Sequence, residues 1–324
     1  MKYILPTMIL VMAAQAGQAT AQVRMDIVNE YPSTSIHAQT VDHFIAELEG
    51  MASVTAHHGA ALGYRSVDHY DAVGDGAVEM ASSFTGAWSG INPIFLVSSL
   101  PFIATTIEET RALYEATRPY YEDALEGDNQ IFLLATPWPP SGVWATRAID
   151  STEALSQLTI RTFDSPGTTT FTNAGASPVQ LSWSDVVPQL TTGGINSVLT
   201  SADGGSSAQF WEYLSDFTEV NYALPLQVMH MNRDAFEQLN DEQKDILLQA
   251  AASTEDFGWN LLETRVQESY EEMQNHGVTV TTDVSDELSM HLSEAAAPVV
   301  AEWIELVGDD AEAILSDFNA RIAE

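Results

Sequence analysis

The side chain best placed to do chemistry in this chain is Arg161, which interrupts the apolar run Leu158-Thr159-Ile160-Arg161-Thr162-Phe163. Basic residues are scarce, with 11 Lys and Arg against 46 Asp and Glu. A guanidinium inside a strand-like segment needs an anionic partner, because an unpaired charge is costly to desolvate. That partner is either a carboxylate of the chain, such as Asp164 or Asp185, or the anionic group of a ligand. A planar guanidinium grips a carboxylate through parallel hydrogen bonds, and the grip strengthens where water is excluded.

Around this arginine little looks catalytic. The chain has no cysteine, which excludes thiol catalysis and disulfides. Its 8 histidines lack the His-Glu-x-x-His spacing, and the adjacent His57 and His58 would point to opposite faces of a strand. A Gly-x-Ser-x-Gly elbow and a phosphate-cradling Gly-x-x-x-x-Gly-Lys loop are both absent. Gly74, Gly76, Gly193, Gly194, Gly204 and Gly205 lack dinucleotide-loop spacing and read as turn residues. No metal and no cofactor are expected. Carboxylates are so abundant that chance pairs are guaranteed, so an exported carboxylate-based hydrolase stays open as a rival class.

The elements that must position Arg161 follow an alternating rhythm. Val23 to Val28 alternates like a half-buried strand, and Ile36 to Leu48 spaces its apolar residues like a helix. Val54 to His57, Ala77 to Ser83 and Ile131 to Ala135 read as extended, Val67 to Val73 and Ile107 to Leu125 as helical. This predicts an α/β fold with largely parallel strands. After the breaker Pro137-Trp138-Pro139-Pro140-Ser141-Gly142 the pattern restarts at Trp144, Leu158, Thr168 and Trp183, so a second α/β lobe begins there. Asn240 to Gly277 reads as one helix, with Asn240 as N-cap, Gln243 at the capping-box position, Gly277 as terminator and Gly258 at a bend. At about 50 Å it is too long for one lobe and should tie two together.

Lys2, the apolar stretch Ile4 to Ala14 and Ala19-Thr20-Ala21 read as an export signal covering 1–21, cleaved before Gln22. No later stretch approaches the roughly 20 apolar residues that span a bilayer, so no direct membrane insertion is expected. Cleavage would take the formal charge from −35 to −36. Such a field repels nucleic acid and anionic lipid. It fits a saline habitat, where the Debye length falls to about 3 Å at 1 M salt, or acidity used as a general solubility device.

Ordered phrases along the chain resemble the DctP-type solute-binding proteins of TRAP transporters. They are Tyr31-Pro32 with His37 and Phe44; Leu62-Gly63, Ala72-Val73 and Gly76-Ala77-Val78-Glu79-Met80-Ala81; Leu100-Pro101-Phe102; Leu158-Thr159-Ile160-Arg161; Pro178 to Val186; Leu190-Thr191-Thr192-Gly193; and Leu239 to Ile246. The resemblance implies a two-lobed periplasmic-binding-protein (Venus-flytrap) fold with the long helix spanning both lobes. Lobe I would comprise 22–138 and 227–262, lobe II 139–226 and 263–324. It further implies a periplasmic receptor, not an enzyme, that delivers a small organic acid to membrane-embedded transporter subunits; a sensor protein as recipient stays open.

The resemblance places Arg161 where family members pair an arginine with the ligand carboxylate, and Trp183 where an aromatic packs on the ligand. The chain departs from the family pattern at Ser141, where many members carry a second ligand-facing arginine. It departs again at Ile195 to Ser201, where a carboxamide contact is lost and Thr200 and Ser201 could donate hydroxyls or simply end a strand. Arg147 aligns with a peripheral arginine. With Trp88, Trp138, Trp144, Trp183 and Trp211 near the cleft segments, the expected ligand is a monocarboxylate, aromatic or otherwise apolar and hydroxybenzoate-like, with a sugar acid or other hydroxy or keto acid as the alternative. The expected ligand-binding set is Arg161, Trp183, Trp88, Ser141, Thr200, Ser201 and His37. The segment Ser201 to Ser207 reads equally as a ligand-side loop or an exposed turn.

Overall fold

Residues 23–323 of the chain are described by a computed structural model; the expected signal peptide, 1–21, lies outside the described residues. In the first lobe β1 (Val23–Asn29), β2 (Ala52–His57) and β3 (Met80–Phe84) run parallel, joined by the helices Ile36–Glu47 and Ser66–Gly74. The helix Ile107–Gly127 then leads to β4 (Gln130–Pro137), which carries the chain to the second lobe.

There β5 (Ser141–Ala145), β6 (Thr159–Thr162), β7 (Ser177–Gln180), β8 (Ser197–Ser201) and β9 (Asp216–Thr218) follow, before β10 (Leu226–Asn232) returns to the first lobe. With β11 (Thr279–Thr281), the two sheets have the orders β2-β1-β3-β10-β4 and β11-β9-β5-β8-β6-β7.

The strands are less parallel than the alternating pattern predicts. β10 lies antiparallel to β3 and β4, and β5 lies antiparallel to β8 and β9. The exceptions are the strands that enter or leave a lobe. A chain that exits by β4 and comes back by β10 must run the two in opposite senses to place them side by side. The two connecting segments touch: Ser141 N donates to Ala223 O at 2.9 Å and Tyr222 N donates to Ser141 O at 2.9 Å.

Helix Asp241–Asn275 is a third connection, begun by the Asn240–Gln243 capping box as the sequence predicts. Its first half packs Leu247, Ala250 and Ala251 into the first lobe's core, and Met273 lies in a core of the second. The helix runs unbroken through Gly258, where the sequence suggested a bend. The glycine is there for a close approach instead: a Cβ would overlap Thr136 Cγ2 and stand 2.9 Å from Thr40 Cγ2.

The C-terminal segment does not stay in the second lobe as the resemblance implied. Helix Asp286–Val307 packs on Ser165–Asn173 of that lobe, then reaches back, with Trp303 Nε1 donating to Pro93 O at 2.8 Å. Helix Asp309–Ile322 lies against Ile107–Gly127, burying Ala311, Ile314 and Phe318 in a first-lobe core. Its apolar stripe fits the free face of that helix. Among the described residues no helix is long and apolar enough to cross a membrane.

On an exposed helix Gly→Ala gains roughly 1 kcal/mol from propensity alone. At position 258 the overlap with β4 reverses the sign, so Gly258→Ala lowers stability by about 1–3 kcal/mol. Denaturant unfolding checks this; a midpoint equal to or above the parent's would show that the close approach carries no weight.

Candidate functional site

The C-terminal ends of β1 and β3 face those of β6 and β8 across the cleft, the edge where open α/β sheets bind ligands. Tyr31 follows β1 and Phe84 ends β3; Phe163 follows β6, and Thr200 and Ser201 end β8. Together with Trp138, Ser141, Arg161, Trp183 and Pro225 they line a narrow cavity of about 30 Å³ between the lobes. The space it opens into, which shares Tyr31, Phe84, Arg161, Phe163 and Trp183, is about 330 Å³ and suits a small organic molecule.

The walls are aromatic because each ring is held by another. Tyr31 sits edge-on to Trp138 with ring centres 4.5 Å apart and 5.7 Å from Trp183; Phe84 meets Phe163 edge-on at 5.4 Å. Tyr31 and Phe84 belong to the first lobe, Trp183 and Phe163 to the second. The rings therefore meet across the cleft, in the packings that π-quadrupoles favour.

Arg161 is the polar centre. It is 4% exposed, and its Nε donates to Leu181 O at 3.0 Å and Nη1 to Leu199 O at 3.4 Å. Its Cζ lies 5.5 Å from the Trp183 ring centre and 5.9 Å from that of Phe163. Burial pulls its pKa down to about 10, while Tyr31, Glu30 and Asp164 act through space to raise it. It remains a cation in neutral water.

Among the described residues no carboxylate is ion-paired with Arg161. Both partners suggested by the sequence are engaged elsewhere. Asp185 pairs with Arg65 at 3.5 Å across the mouth of the cleft. Asp164 caps the helix Ser165–Asn173, its Oδ1 accepting from Gly167 N at 2.9 Å. Burial pushes the Asp164 carboxyl up to about 6.

Glu30 extends the site on the other side. It borders a second space that opens off the first, along with Arg161, Ser66 and Ser182. The residue is 3% exposed; Oε2 accepts from Ser66 N at 2.9 Å and Oε1 from Ser184 N at 3.1 Å. Cavity and annex thus present one buried cation and one buried anion.

Of the expected residues, Arg161, Trp183, Ser141, Thr200 and Ser201 come together in the cavity wall. Ser201 also caps the next helix, its Oγ accepting from Gly204 N at 3.0 Å. The segment after it is neither loop nor exposed turn but a buried helical turn, Ala202–Ser207, packed under Trp144.

Trp88 and His37 are corrections. Trp88 is fully buried among Tyr70, Phe95 and His230, with Nε1 donating to Ser66 O at 2.9 Å. It is a core residue of the first lobe. His37 lies behind the aromatic wall, 4.1 Å from the Trp138 ring centre, with Nδ1 against Thr136 Oγ1 at 3.2 Å. Burial holds its pKa down at about 3, so it is neutral. Trp144 is likewise core, while Trp211 stacks on His276 with ring centres 4.0 Å apart, away from the cavity. Arg147 is exposed.

Sequence reasoning missed Glu30, Tyr31, Phe84, Phe163 and Pro225 as lining residues. The available signal was positional: Glu30 and Phe84 fall where parallel strands end, and Phe163 stands two residues beyond Arg161.

Comparison with known proteins agrees with this geometry. Residues 30–306 match the family described as bacterial extracellular solute-binding protein, family 7 (DctP). The ectoine-binding periplasmic protein TeaA of Halomonas elongata is 26% identical over 251 residues, 75% of this chain and 72% of its own. The ectoine/5-hydroxyectoine-binding protein UehA of Ruegeria pomeroyi is 24% identical over 273 residues, 80% of this chain and 78% of its own. Among solved structures, the Bordetella pertussis solute receptor DctP6, which binds pyroglutamic acid, superposes with a TM-score of 0.88 at 24% identity, over 92% of this chain and all of that one. The chain therefore belongs to bacterial extracellular solute-binding protein family 7, the DctP family of TRAP-transporter receptors, whose members bind solutes and catalyse no reaction.

Proposed function

We propose that this receptor captures a small cyclic monocarboxylate in the periplasm, pairing its carboxylate with Arg161, and delivers it to membrane-embedded TRAP subunits. The observation that carries the reading is the Arg161 guanidinium. It is buried, held in place by two backbone carbonyls, and among the described residues has no carboxylate ion-paired with it. Its unused N–H donors need an anionic partner, and a bound carboxylate would supply one.

The aromatic wall supports a flat or compact ring, aromatic and hydroxybenzoate-like or a small nitrogen heterocycle. Tyr31, Phe84, Phe163 and Trp183 offer ring faces and edges from both lobes. Relatives in the family bind ectoine and pyroglutamate, both compact cyclic carboxylates. Glu30 supports a single negative charge on the ligand, since a second carboxylate would be pressed toward a buried anion. Ser141, Thr200 and Ser201 supply hydroxyls for one polar substituent. A ligand held by both lobes biases the population toward the closed form, which is how capture becomes a signal to a transporter.

Two measurements test this. In a thermal-shift screen at about 1 M salt, 4-hydroxybenzoate, pyroglutamate and ectoine are compared with gluconate and succinate. A ligand at 100 Kd adds about 2.7 kcal/mol of stability, so at least one ring acid should raise Tm while gluconate and succinate leave it unchanged; a shift from gluconate alone would establish the sugar-acid alternative. In calorimetric titrations with the acid so found, Arg161→Ala should weaken binding by about 2–5 kcal/mol, with Arg161→Lys intermediate because an ammonium cannot fork. Arg161→Ala without ligand should unfold close to the parent's temperature. A large drop in that temperature with unchanged affinity would make Arg161 a structural residue instead.

A further inference from the structure

Two buried carboxylates reach across the cleft in opposite directions. Glu30, in the first lobe, accepts from Ser184 N of the second at 3.1 Å while keeping Ser66 N of its own lobe at 2.9 Å. Asp203, in the second lobe, accepts from Ile36 N of the first at 3.2 Å, with Arg265 Nε of the long helix at 2.7 Å on its other oxygen. Arg265 Nη2 also donates to Thr34 O at 3.1 Å, and Thr34 Oγ1 donates to Ser207 O at 3.2 Å.

The acceptors fill gaps that local caps leave. Helix Trp183–Thr192 begins at Ser182, whose side chain makes no capping bond, so one of its free N–H groups is met by Glu30. Helix Ile36–Glu47 has Ser35 bonded to Ala38 N, and its first N–H, Ile36, is met by Asp203. The opening N–H groups of a helix have no internal partner, and an anion there is favoured by the helix dipole as well. Each lobe thus completes a helix start of the other.

We propose that Glu30 and Asp203 are positioning residues for capture: reciprocal caps that form only when the lobes meet and that populate the closed form before any acid binds. The reading is independent of which acid is carried. Each carboxylate faces a donor on both oxygens, so Glu30→Gln and Asp203→Asn keep shape while turning an amide N–H₂ against one donor.

The chain has no cysteine, so the exposed Asp75 in the first lobe and Thr192 in the second can be changed to Cys and spin-labelled cleanly. Pulsed dipolar distances are measured with no ligand added. The parent should show a short, closed population, and each variant should cut its closed-to-open ratio about tenfold, the size expected for one charge-assisted hydrogen bond. Thermal unfolding of the same samples confirms folding. A distance distribution unchanged in both variants, even with a lower Tm, would make the carboxylates supports within their own lobes and overturn the proposal. A parent with no short population would overturn it too.

Discussion

Desolvating a guanidinium is among the most expensive things a fold does, and among the described residues no carboxylate is in ion-pair contact with the buried Arg161. Its cost is offset in part by two carbonyls, Leu181 and Leu199, and by the faces of Trp183 and Phe163. Those four groups come from three segments of the second lobe. β6 must carry the arginine, β8 must end beside it, and the loop before Trp183 must bring a carbonyl and a ring. The topology β8-β6-β7 is what places them together, so the lower half of the cleft is organised around one charge.

The rest of the chain is intensely acidic, which ought to repel an anionic ligand. Much of the acid is spent locally. Glu108 and Glu109, Asp241 and Glu242, Asp286 and Glu287, and Asp309, Asp310 and Glu312 all sit in the first turns of helices, where negative charge is stabilised by the exposed N–H groups and dipole. Others pair at the surface with Arg118, Arg233 and Arg321; such exposed pairs add little stability but shorten the reach of the field. What an incoming anion meets at close range is therefore Arg161 behind an aromatic wall rather than the summed charge.

Much of this could be read from the chain because it depends on local rules. The capping box at Asn240 and Gln243 and the terminator Gly277 located the long connecting helix. Arg161 was conspicuous because a charge in an apolar run breaks the pattern. What could not be read is what depends on which way a ring turns. Trp88 and Trp183 are the same residue type near the same cleft, yet Trp88 points into a core that Tyr70 and Phe95 complete, whereas Trp183 stands at a helix start with one face open. Glu30 stayed hidden among so many acids because its place just after β1 was its one signal, and its burial shows only in the fold. The antiparallel pairs arise from crossings between lobes, a long-range matter on which periodicity is silent.

The long helix limits how the lobes can move. Its first half is keyed to the first lobe by Gly258, whose missing side chain lets Thr136 and Thr40 approach, and by Trp259, whose Nε1 donates to Ala135 O at 3.0 Å. Its second half follows the other lobe from Arg265, bound to Asp203, to Met273. Between these anchors lie Leu261 and Leu262, and Leu262 is buried in the cluster shared by Tyr31, Phe84 and Trp138. There the helix passes from the core of one lobe to that of the other. The turn between the two anchors is thus the one whose side chain packs on the aromatic wall, so the cavity lining and the helix's crossing between lobes share Leu262.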